Sequence, residues 1–141
     1  MSEKVVNAAL LGPGTVGTGV YKVNKSQEQE MTAKLGCQVK ITKILVRNLE
    51  KASGKVDDPS VLTTDWADIE EDPSIDIVIE LIGGIEPART YILAALKAGK
   101  NVVTANKDLI AVHGKEILET ARAAQKDFLV EAAVAGGSPI I

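Results

Sequence analysis

Residues 5–17 read VVNAALLGPGTVG and lie close to the start of a 141-residue chain. The apolar run Val5–Leu11 predicts a buried strand, and the residues after the loop have helical spacing. Between strand and helix, Gly12, Gly14 and Gly17 stand in the pattern G-x-G-x-x-G. A strand, a glycine loop and a helix in this order favour an α/β sheet with a site for a dinucleotide.

Each glycine of this loop has a physical task. Gly12 permits the tight turn off the strand, Gly14 lacks a Cβ so that a pyrophosphate can approach the backbone, and Gly17 allows close packing of helix on strand. The free N–H groups of the helix that begins at Thr15, together with its dipole, favour two phosphates. The alternative is an ordinary glycine-rich turn, and the flanking strand and helix argue against it.

Composition bounds the class of protein. The length fits one domain, and 45% hydrophobic with 25% charged residues is typical of a soluble globular protein. A net charge of −3 gives no support for nucleic-acid binding. No apolar run approaches the roughly 20 residues of a membrane span. The only cysteine, Cys37, cannot form an intramolecular disulfide, so we expect a cytoplasmic protein whose partners are neither nucleic acid nor membrane.

Apolar runs and helical patterns alternate along the chain, which predicts parallel strands joined by helices. Further strands are predicted at Val39–Val46, Val61–Thr63, Ile75–Ile82, Asn101–Ala105 and Phe128–Ala132. The near-continuous hydrophobicity of the run at 75–82 indicates burial on both faces. We therefore expect an α/β fold, a Rossmann-type doubly wound parallel sheet of six strands in the order 3-2-1-4-5-6, with residues 1–141 as one dinucleotide-binding domain.

Three longer helices are predicted to cover this sheet. The first begins at Thr15, is interrupted near Asn24, restarts at Ser26 and stops at Gly36. The second has Pro87 in its first turn and Gly99 as its cap, and the third covers Leu109–Gln125. The residues expected to face inward from the third helix are Ile110, Ile117, Leu118 and Ala121.

Two polar residues near the third helix are expected to be structural. Asp108 stands where it could cap the helix. His113, the only histidine, lies in an apolar helical stretch beside Gly114, a pairing that suggests a kink or close packing. We therefore assign no catalytic role to His113.

The end of the second strand indicates which cofactor is preferred. NAD sites place an acidic residue there, whereas this chain has Arg47, with Lys51 and Lys55 nearby. A guanidinium binds a 2′-phosphate through two hydrogen bonds, worth about 1.5–3 kcal/mol for a charged bond, so we expect NADP to be preferred and NAD to be the second cofactor. The alternative is that Arg47 is a solvated loop charge.

Two more stretches follow strands at the same edge of the sheet. Gly83 comes directly after the fourth strand, where a cofactor would meet backbone, although the same residues suit a simple turn. Thr104 and Lys107 follow the fifth strand, near the expected nicotinamide. A lysine there could bind a carboxylate or carbonyl oxygen or take part in proton transfer, and an ordinary surface lysine is equally consistent with the position.

Glu131 ends the sixth strand, before a glycine-rich loop. Its carboxylate and the loop carbonyls could hold a cation, while the residues alone favour a carboxylate hydrogen-bonded to the loop. The chain then finishes on apolar residues at Ile141, unlike a natural polar terminus, which leads us to expect a fragment.

Taken together, these stretches resemble homoserine dehydrogenase. The matching pieces are Gly12–Gly17, Leu45–Arg47, Asp76–Gly84, Val103–Lys107 and Glu131–Ile141. The last two are more specific than the glycine fingerprint, which many unrelated enzymes share. The resemblance implies an oxidoreductase that interconverts L-homoserine and L-aspartate 4-semialdehyde with NADP or NAD, in the biosynthesis of threonine, isoleucine and methionine.

The resemblance also implies roles for particular residues. It implies that Thr15 and Val16 contact the cofactor, that Arg47 contacts the 2′-phosphate, and that Lys107 lies at the nicotinamide and substrate end as the candidate catalytic residue. It implies a sodium site formed by Glu131, Val134, Gly136 and Ser138. Ser138 stands where the family usually has an aliphatic residue, a change that a backbone-carbonyl ligand would tolerate.

The family's substrate and catalytic domain follows the point at which this chain ends. We therefore expect cofactor binding without turnover of homoserine by this polypeptide, and an intact enzyme that is a homo-oligomer. Two other functions remain open at this point. One is an NAD(P)-sensing regulatory module, and the other is another reductase of aspartate-derived metabolites built on the same sheet.

Overall fold

The computed structural model describes residues 5–11, 36, 38–46, 59–82 and 84–130. The strands within these ranges are β1 (Val5–Leu11), β2 (Gln38–Leu45), β3 (Leu62–Thr63), β4 (Ile77–Glu80), β5 (Asn101–Thr104) and β6 (Phe128–Val130). They form one sheet in the order β3-β2-β1-β4-β5-β6, and every neighbouring pair is parallel. The predicted Rossmann-type sheet and its strand order are confirmed.

Helices connect the later strands. Those in the described ranges are α1 (Ala67–Glu70), α2 (Ala88–Lys97) and α3 (Lys107–Ala124), with one 3₁₀ turn at Pro59–Val61. The helix predicted after the glycine loop lies outside the described residues, as does Cys37. Within the ranges that the structure covers, no helix combines the length and apolarity needed to cross a bilayer.

The centre of the sheet is buried on both faces, as the apolar runs of β1 and β4 predict. From Ala8 to Leu11, β1 has no solvent exposure on either side. One face carries a cluster that includes Leu10, Ile44, Ile77 and Ile79. The other face is covered by α2 and α3, which contribute the fully buried side chains Ile92, Leu96, Leu109 and Ile117.

A bulge in β2 changes which residues face which side. The pairing with β1 runs from Ala8 opposite Ile41 directly to Ala9 opposite Lys43, so Thr42 is the extra residue. A bulge of one residue reverses the alternation of side chains beyond it. Ile41 and Ile44 therefore belong to the same buried cluster although they are three positions apart.

The fourth strand is shorter than predicted. Its bounds are Ile77–Glu80 rather than 75–82, although single backbone bonds extend the contact with β1 at both ends, from Asp76 N–H to the Asn7 carbonyl and from Leu81 N–H to the Leu11 carbonyl. Its four strand residues are all buried, which confirms the expected burial on both faces.

The predicted inner face of the last helix is partly wrong. Ile117 and Ala121 are buried, whereas Leu118 is 49% exposed and Ile110 is only half-buried. The buried stripe of α3 continues from Gly114, so a residue one position beyond Ile117 is turned by about 100° away from the sheet. The helix is kinked at His113, where φ is −125° and ψ is 15°, which confirms the kink predicted there.

The two ends of α2 agree with the sequence predictions better than the inner face of α3 does. Pro87 is the residue at the N-cap of α2, one position before the first turn in which it was predicted. Gly99 follows the last residues of α2 with φ of +88°, a left-handed conformation that glycine adopts without a Cβ penalty. The predicted glycine cap is therefore confirmed.

Candidate functional site

Three central strands end at the same level of the sheet. Leu11 of β1 is the register partner of Glu80 of β4, and Glu80 is in turn the partner of Thr104 of β5. The strand order reverses between β1 and β4, because β2 lies on one side of β1 and the later strands on the other. Ligands of open α/β sheets bind in the crevice at such a switch point. In the sequence, Leu11 is followed directly by the G-x-G-x-x-G pattern at 12–17, which lies outside the described residues.

A buried polar network lies beside this crevice. Glu80 is 1% exposed and Thr104 is fully buried, and the Thr104 hydroxyl donates a short hydrogen bond to Oε1 of Glu80. The same hydroxyl oxygen accepts the backbone N–H of Asn106 at 2.9 Å. By strand alternation, Glu80 and Thr104 lie on the sheet face that α2 and α3 cover.

Asn106 joins two loops at this edge. Its Nδ2 donates to the Gly84 carbonyl at 2.6 Å, and its Oδ1 accepts the backbone N–H of Leu109 at 3.1 Å. The second bond makes Asn106, and not Asp108 as the sequence suggested, the side-chain cap of α3. The loop that follows β4 is thereby tied to the first turn of α3.

Gly84 contributes an open stretch of backbone to the same edge. Its φ is +72°, and a Cβ placed on it would meet no atom of the described residues within 4 Å. The left-handed conformation suits glycine. The expectation that a ligand meets backbone at this loop stays a prediction.

Two of the sequence-predicted site residues lie within the described ranges. Thr104 ends β5 inside the polar network, and Lys107 is exposed as the first residue of α3, directly after Asn106. The structure thus brings both to the carboxyl edge of the sheet. The other candidates lie outside the described residues: Gly12, Gly14, Thr15, Val16, Gly17, Arg47, Gly83, Glu131, Val134, Gly136 and Ser138. Among the side chains that are described, no group of three or more histidine, cysteine or acidic residues could hold a metal ion.

Sequence reasoning missed the parts played by Glu80 and Asn106. A glutamate in the last position of an otherwise apolar strand is a signal that could have been used, because a buried charge requires a partner. An asparagine three residues before Leu109 is also a recognisable cap.

An ion pair joins the two helices that cover this face. Arg89 of α2 donates from Nε to Oε1 of Glu116 at 2.8 Å and from Nη2 to Oε2 of Glu116 at 2.7 Å. This bidentate ion pair connects α2 to α3. A third bond reaches Oε2 of Glu86 at 3.2 Å. The hydrogen bonds from Arg89 lower the pKa of Glu116, and those to Glu116 and Glu86 raise the pKa of Arg89.

This ion pair predicts a small dependence of stability on pH. Because the folded-state pKa of Glu116 is lowered, its stabilisation is present above the unfolded pKa of about 4.3 and is lost as the pH falls through the folded value. We expect Glu116→Gln to melt at a lower temperature than the unmodified chain near neutral pH, with the difference disappearing in acid. Thermal melting between about pH 7 and 3 measures this. Glu119→Gln, an exposed neighbour on α3, is the control. A difference that grows in acid would contradict the assignment.

A second buried charged residue lies at the amino-terminal ends of the strands, at the other end of the sheet from the crevice. Lys100, just before β5, is 3% exposed, and its Nζ donates to the carbonyls of Asp72 at 2.6 Å and Ile75 at 3.1 Å. Burial lowers the pKa of Lys100. These bonds fasten the turn before β4, far from the strand ends that form the crevice.

The fold and the crevice together define a class of protein. A parallel sheet in the order 3-2-1-4-5-6, whose central strand is followed in the sequence by G-x-G-x-x-G, is typical of dinucleotide-binding domains. Residues 12–131 match the family described as "Homoserine dehydrogenase, NAD binding domain". The chain belongs to this family.

Relatives and solved structures agree with this membership. Homoserine dehydrogenase of Bacillus subtilis (strain 168) is 48% identical over 139 residues, which cover 98% of this chain and 32% of the relative. A homoserine dehydrogenase structure from Thiobacillus denitrificans has a TM-score of 0.77 at 44% identity, covering 92% of this chain and 30% of that one. The chain therefore spans about a third of the length of the curated relatives that it matches.

A more distant structure shares the fold alone. It is a hyperthermophilic archaeal homoserine dehydrogenase in complex with NADPH, 20% identical with a TM-score of 0.65, and the match covers 92% of this chain and 44% of that one.

Proposed function

We propose that this chain binds NADP(H) and holds its nicotinamide at the carboxyl edge of the sheet, as part of an oxidoreductase that interconverts L-homoserine and L-aspartate 4-semialdehyde. The observation that carries the proposal is the common level at which Leu11, Glu80 and Thr104 end their strands. It brings the loop of Gly84 and the start of α3 to one crevice beside Leu11, which supports a cofactor site there in a chain that belongs to the homoserine dehydrogenase family.

Each part of the crevice would have its own task. The backbone N–H groups after Gly12 and Gly14 would receive the pyrophosphate, and Thr15 and Val16 would contact it through the loop. Gly83 and Thr104 would border the nicotinamide half. Bound there, the cofactor supplies hydride transfer, and the protein supplies orientation and electrostatics.

The substrate half of the reaction is proposed to require residues beyond 1–141. Lys107 is exposed at the start of α3, where its ammonium group could bind the carboxylate or carbonyl oxygen of a substrate or move a proton. We propose that this domain alone binds cofactor without turning over homoserine. A sodium site at Glu131, Val134, Gly136 and Ser138, a cytoplasmic location and a homo-oligomeric intact enzyme belong to the same proposal.

The name carried by the matching relatives favours this function over the two alternatives. Relatives at 41–48% identity are called homoserine dehydrogenase, which favours that enzyme over another reductase of aspartate-derived metabolites. The same finding disfavours a separate NAD(P)-sensing module.

Cofactor preference tests the proposal. We expect NADPH to bind more tightly than NADH, and Arg47→Ala to raise the Kd for NADPH about tenfold or more while leaving that for NADH within about twofold, because one charged hydrogen bond contributes roughly 1.5–3 kcal/mol. Titration followed by nicotinamide fluorescence measures both constants.

A lysine from the surface of α3 is the matched control for charge. Lys115→Ala removes one exposed positive charge from α3 and should change neither constant. Equal binding of the two cofactors, unaffected by Arg47→Ala, would show that no guanidinium recognises the 2′-phosphate.

A further inference from the structure

Among the glutamates that the structure describes, Glu80 is buried. Glu80 is the last residue of β4, is 1% exposed, and lies between the ends of β1 and β5. Burying a carboxylate is costly unless hydrogen bonds stabilise it. An apolar residue would fill the same place without that cost, so the position invites a functional explanation.

We propose that Glu80 is a positioning residue for the nicotinamide half of the cofactor. It acts through Thr104 and Asn106 to hold the two loops that border this end of the crevice. The inference rests on the proposed function, since it concerns how that same crevice receives its ligand.

The direction of the hydrogen bonds supports the proposal. The backbone N–H of Asn106 can only donate, so the Thr104 hydroxyl oxygen accepts it. The hydroxyl proton of Thr104 is then directed to Glu80, whose carboxylate oxygen accepts it. Glu80 therefore fixes the rotamer of Thr104, and through it the backbone that follows β5.

The network continues into both neighbouring loops. Once its backbone is fixed, Asn106 directs Nδ2 at the Gly84 carbonyl and Oδ1 at the Leu109 N–H. The first bond fastens the loop after β4, and the second fastens the first turn of α3, which begins with Lys107. One buried carboxylate thus sets the relative position of the open backbone at Gly84 and of the exposed lysine.

This arrangement predicts an effect confined to one half of the cofactor. The groups through which Glu80 acts, on Thr104, Asn106 and Gly84, belong to β5 and to the loops that follow β4 and β5, whereas residues 12–17 and Arg47 follow β1 and β2 in the chain. Loosening the network should weaken contacts with the nicotinamide and its ribose, and it should leave the 2′-phosphate, adenine and pyrophosphate contacts unchanged. A purely structural role for Glu80 would affect both halves alike or neither.

The experiment compares NADPH with 2′-phospho-ADP-ribose, which lacks the nicotinamide. We expect Glu80→Leu, which keeps the volume and removes the acceptor, to raise the Kd for NADPH roughly tenfold and that for 2′-phospho-ADP-ribose less than twofold. Glu80→Gln should lie between the leucine variant and the unmodified chain, because its amide oxygen still accepts the Thr104 proton. Calorimetric titration of the purified chain gives both constants.

Lys100→Met is the matched control. It removes another buried charged side chain with two hydrogen bonds, but this one lies at the amino-terminal ends of the strands, away from the crevice. We expect it to lower the urea midpoint of unfolding while both dissociation constants stay unchanged, which separates loss of stability from loss of positioning. If Glu80→Leu does not fold, Thr104→Val removes the same hydrogen bond from the other side and should show the same selective loss.

The outcomes distinguish the two proposals. Equal weakening of both ligands by Glu80→Leu, or unchanged NADPH binding, would overturn the positioning role while leaving the cofactor site in place. If the unmodified chain binds neither ligand, the proposed function itself is contradicted, and the role of Glu80 with it.

Discussion

Replacing Gly14 with valine is expected to weaken NADPH binding by at least about 100-fold and to leave the fold intact. β1 ends at Leu11 beside Glu80, so the residues that follow begin at the crevice. A side chain at Gly14 would keep the pyrophosphate away from the backbone N–H groups. Losing two charge-assisted hydrogen bonds of about 1.5–3 kcal/mol each corresponds to at least that factor.

The same titration of NADPH measures this effect, with circular dichroism as the check on folding. Gly54→Val is a matched control, because it places the same side chain at a glycine between the predicted second strand, Val39–Val46, and the predicted third strand, Val61–Thr63. We expect that variant to bind as the unmodified chain does. Unchanged affinity in Gly14→Val would remove the glycine loop from the site.

Ile92→Ala is expected to destabilise the described core strongly. Ile92 is fully buried where α2 packs on the sheet and on α3. Truncation removes apolar contacts and leaves a cavity, which typically costs about 2–5 kcal/mol for isoleucine to alanine. For a domain of this size, that corresponds to a fall in Tm of roughly 4–20 °C.

Val112→Ala is the matched control for Ile92→Ala. Val112 is a branched residue of α3 that is 64% exposed, so its truncation should change the free energy of unfolding by less than about 0.5 kcal/mol. Chemical unfolding in urea compares the two variants directly. Equal stability of both would show that α2 does not pack on the sheet through Ile92.

The strand order could be predicted from the sequence because the central strands β1 and β4 are nearly continuous apolar runs. Ala8–Leu11 and Ile77–Glu80 are buried on both faces, as the strands of a parallel sheet with covered faces are. Alternation with helices and the position of the glycine loop then leave few possible topologies. The order β3-β2-β1-β4-β5-β6 follows from these general rules.

Details that depend on register could not be predicted in the same way. The bulge at Thr42 and the exposure of Leu118 each arise from a shift of one residue, which hydrophobicity in the sequence does not determine. The bond between Glu80 and Thr104 joins residues 24 positions apart, and it exists because the two strands pair in one register. Local patterns contain no information about such a pair.

The candidate site was predicted in outline. Lys107 and Thr104 lie at the edge of the sheet where the sequence places them, whereas the cap at Asn106 and the buried Glu80 were found only in the structure. The roles of Arg47 and of the glycine loop stay predictions, because those residues lie outside the described ranges.

The pairing of β1 also determines when the domain can assemble during synthesis. β1 pairs with β2 on one side and with β4 on the other, and translation of β4 is complete only at residue 80. Until then a nascent chain carries a strongly apolar strand with one side unpaired, the kind of segment that associates with other chains. The unpaired side of β1 is therefore exposed until the chain has been translated as far as β4.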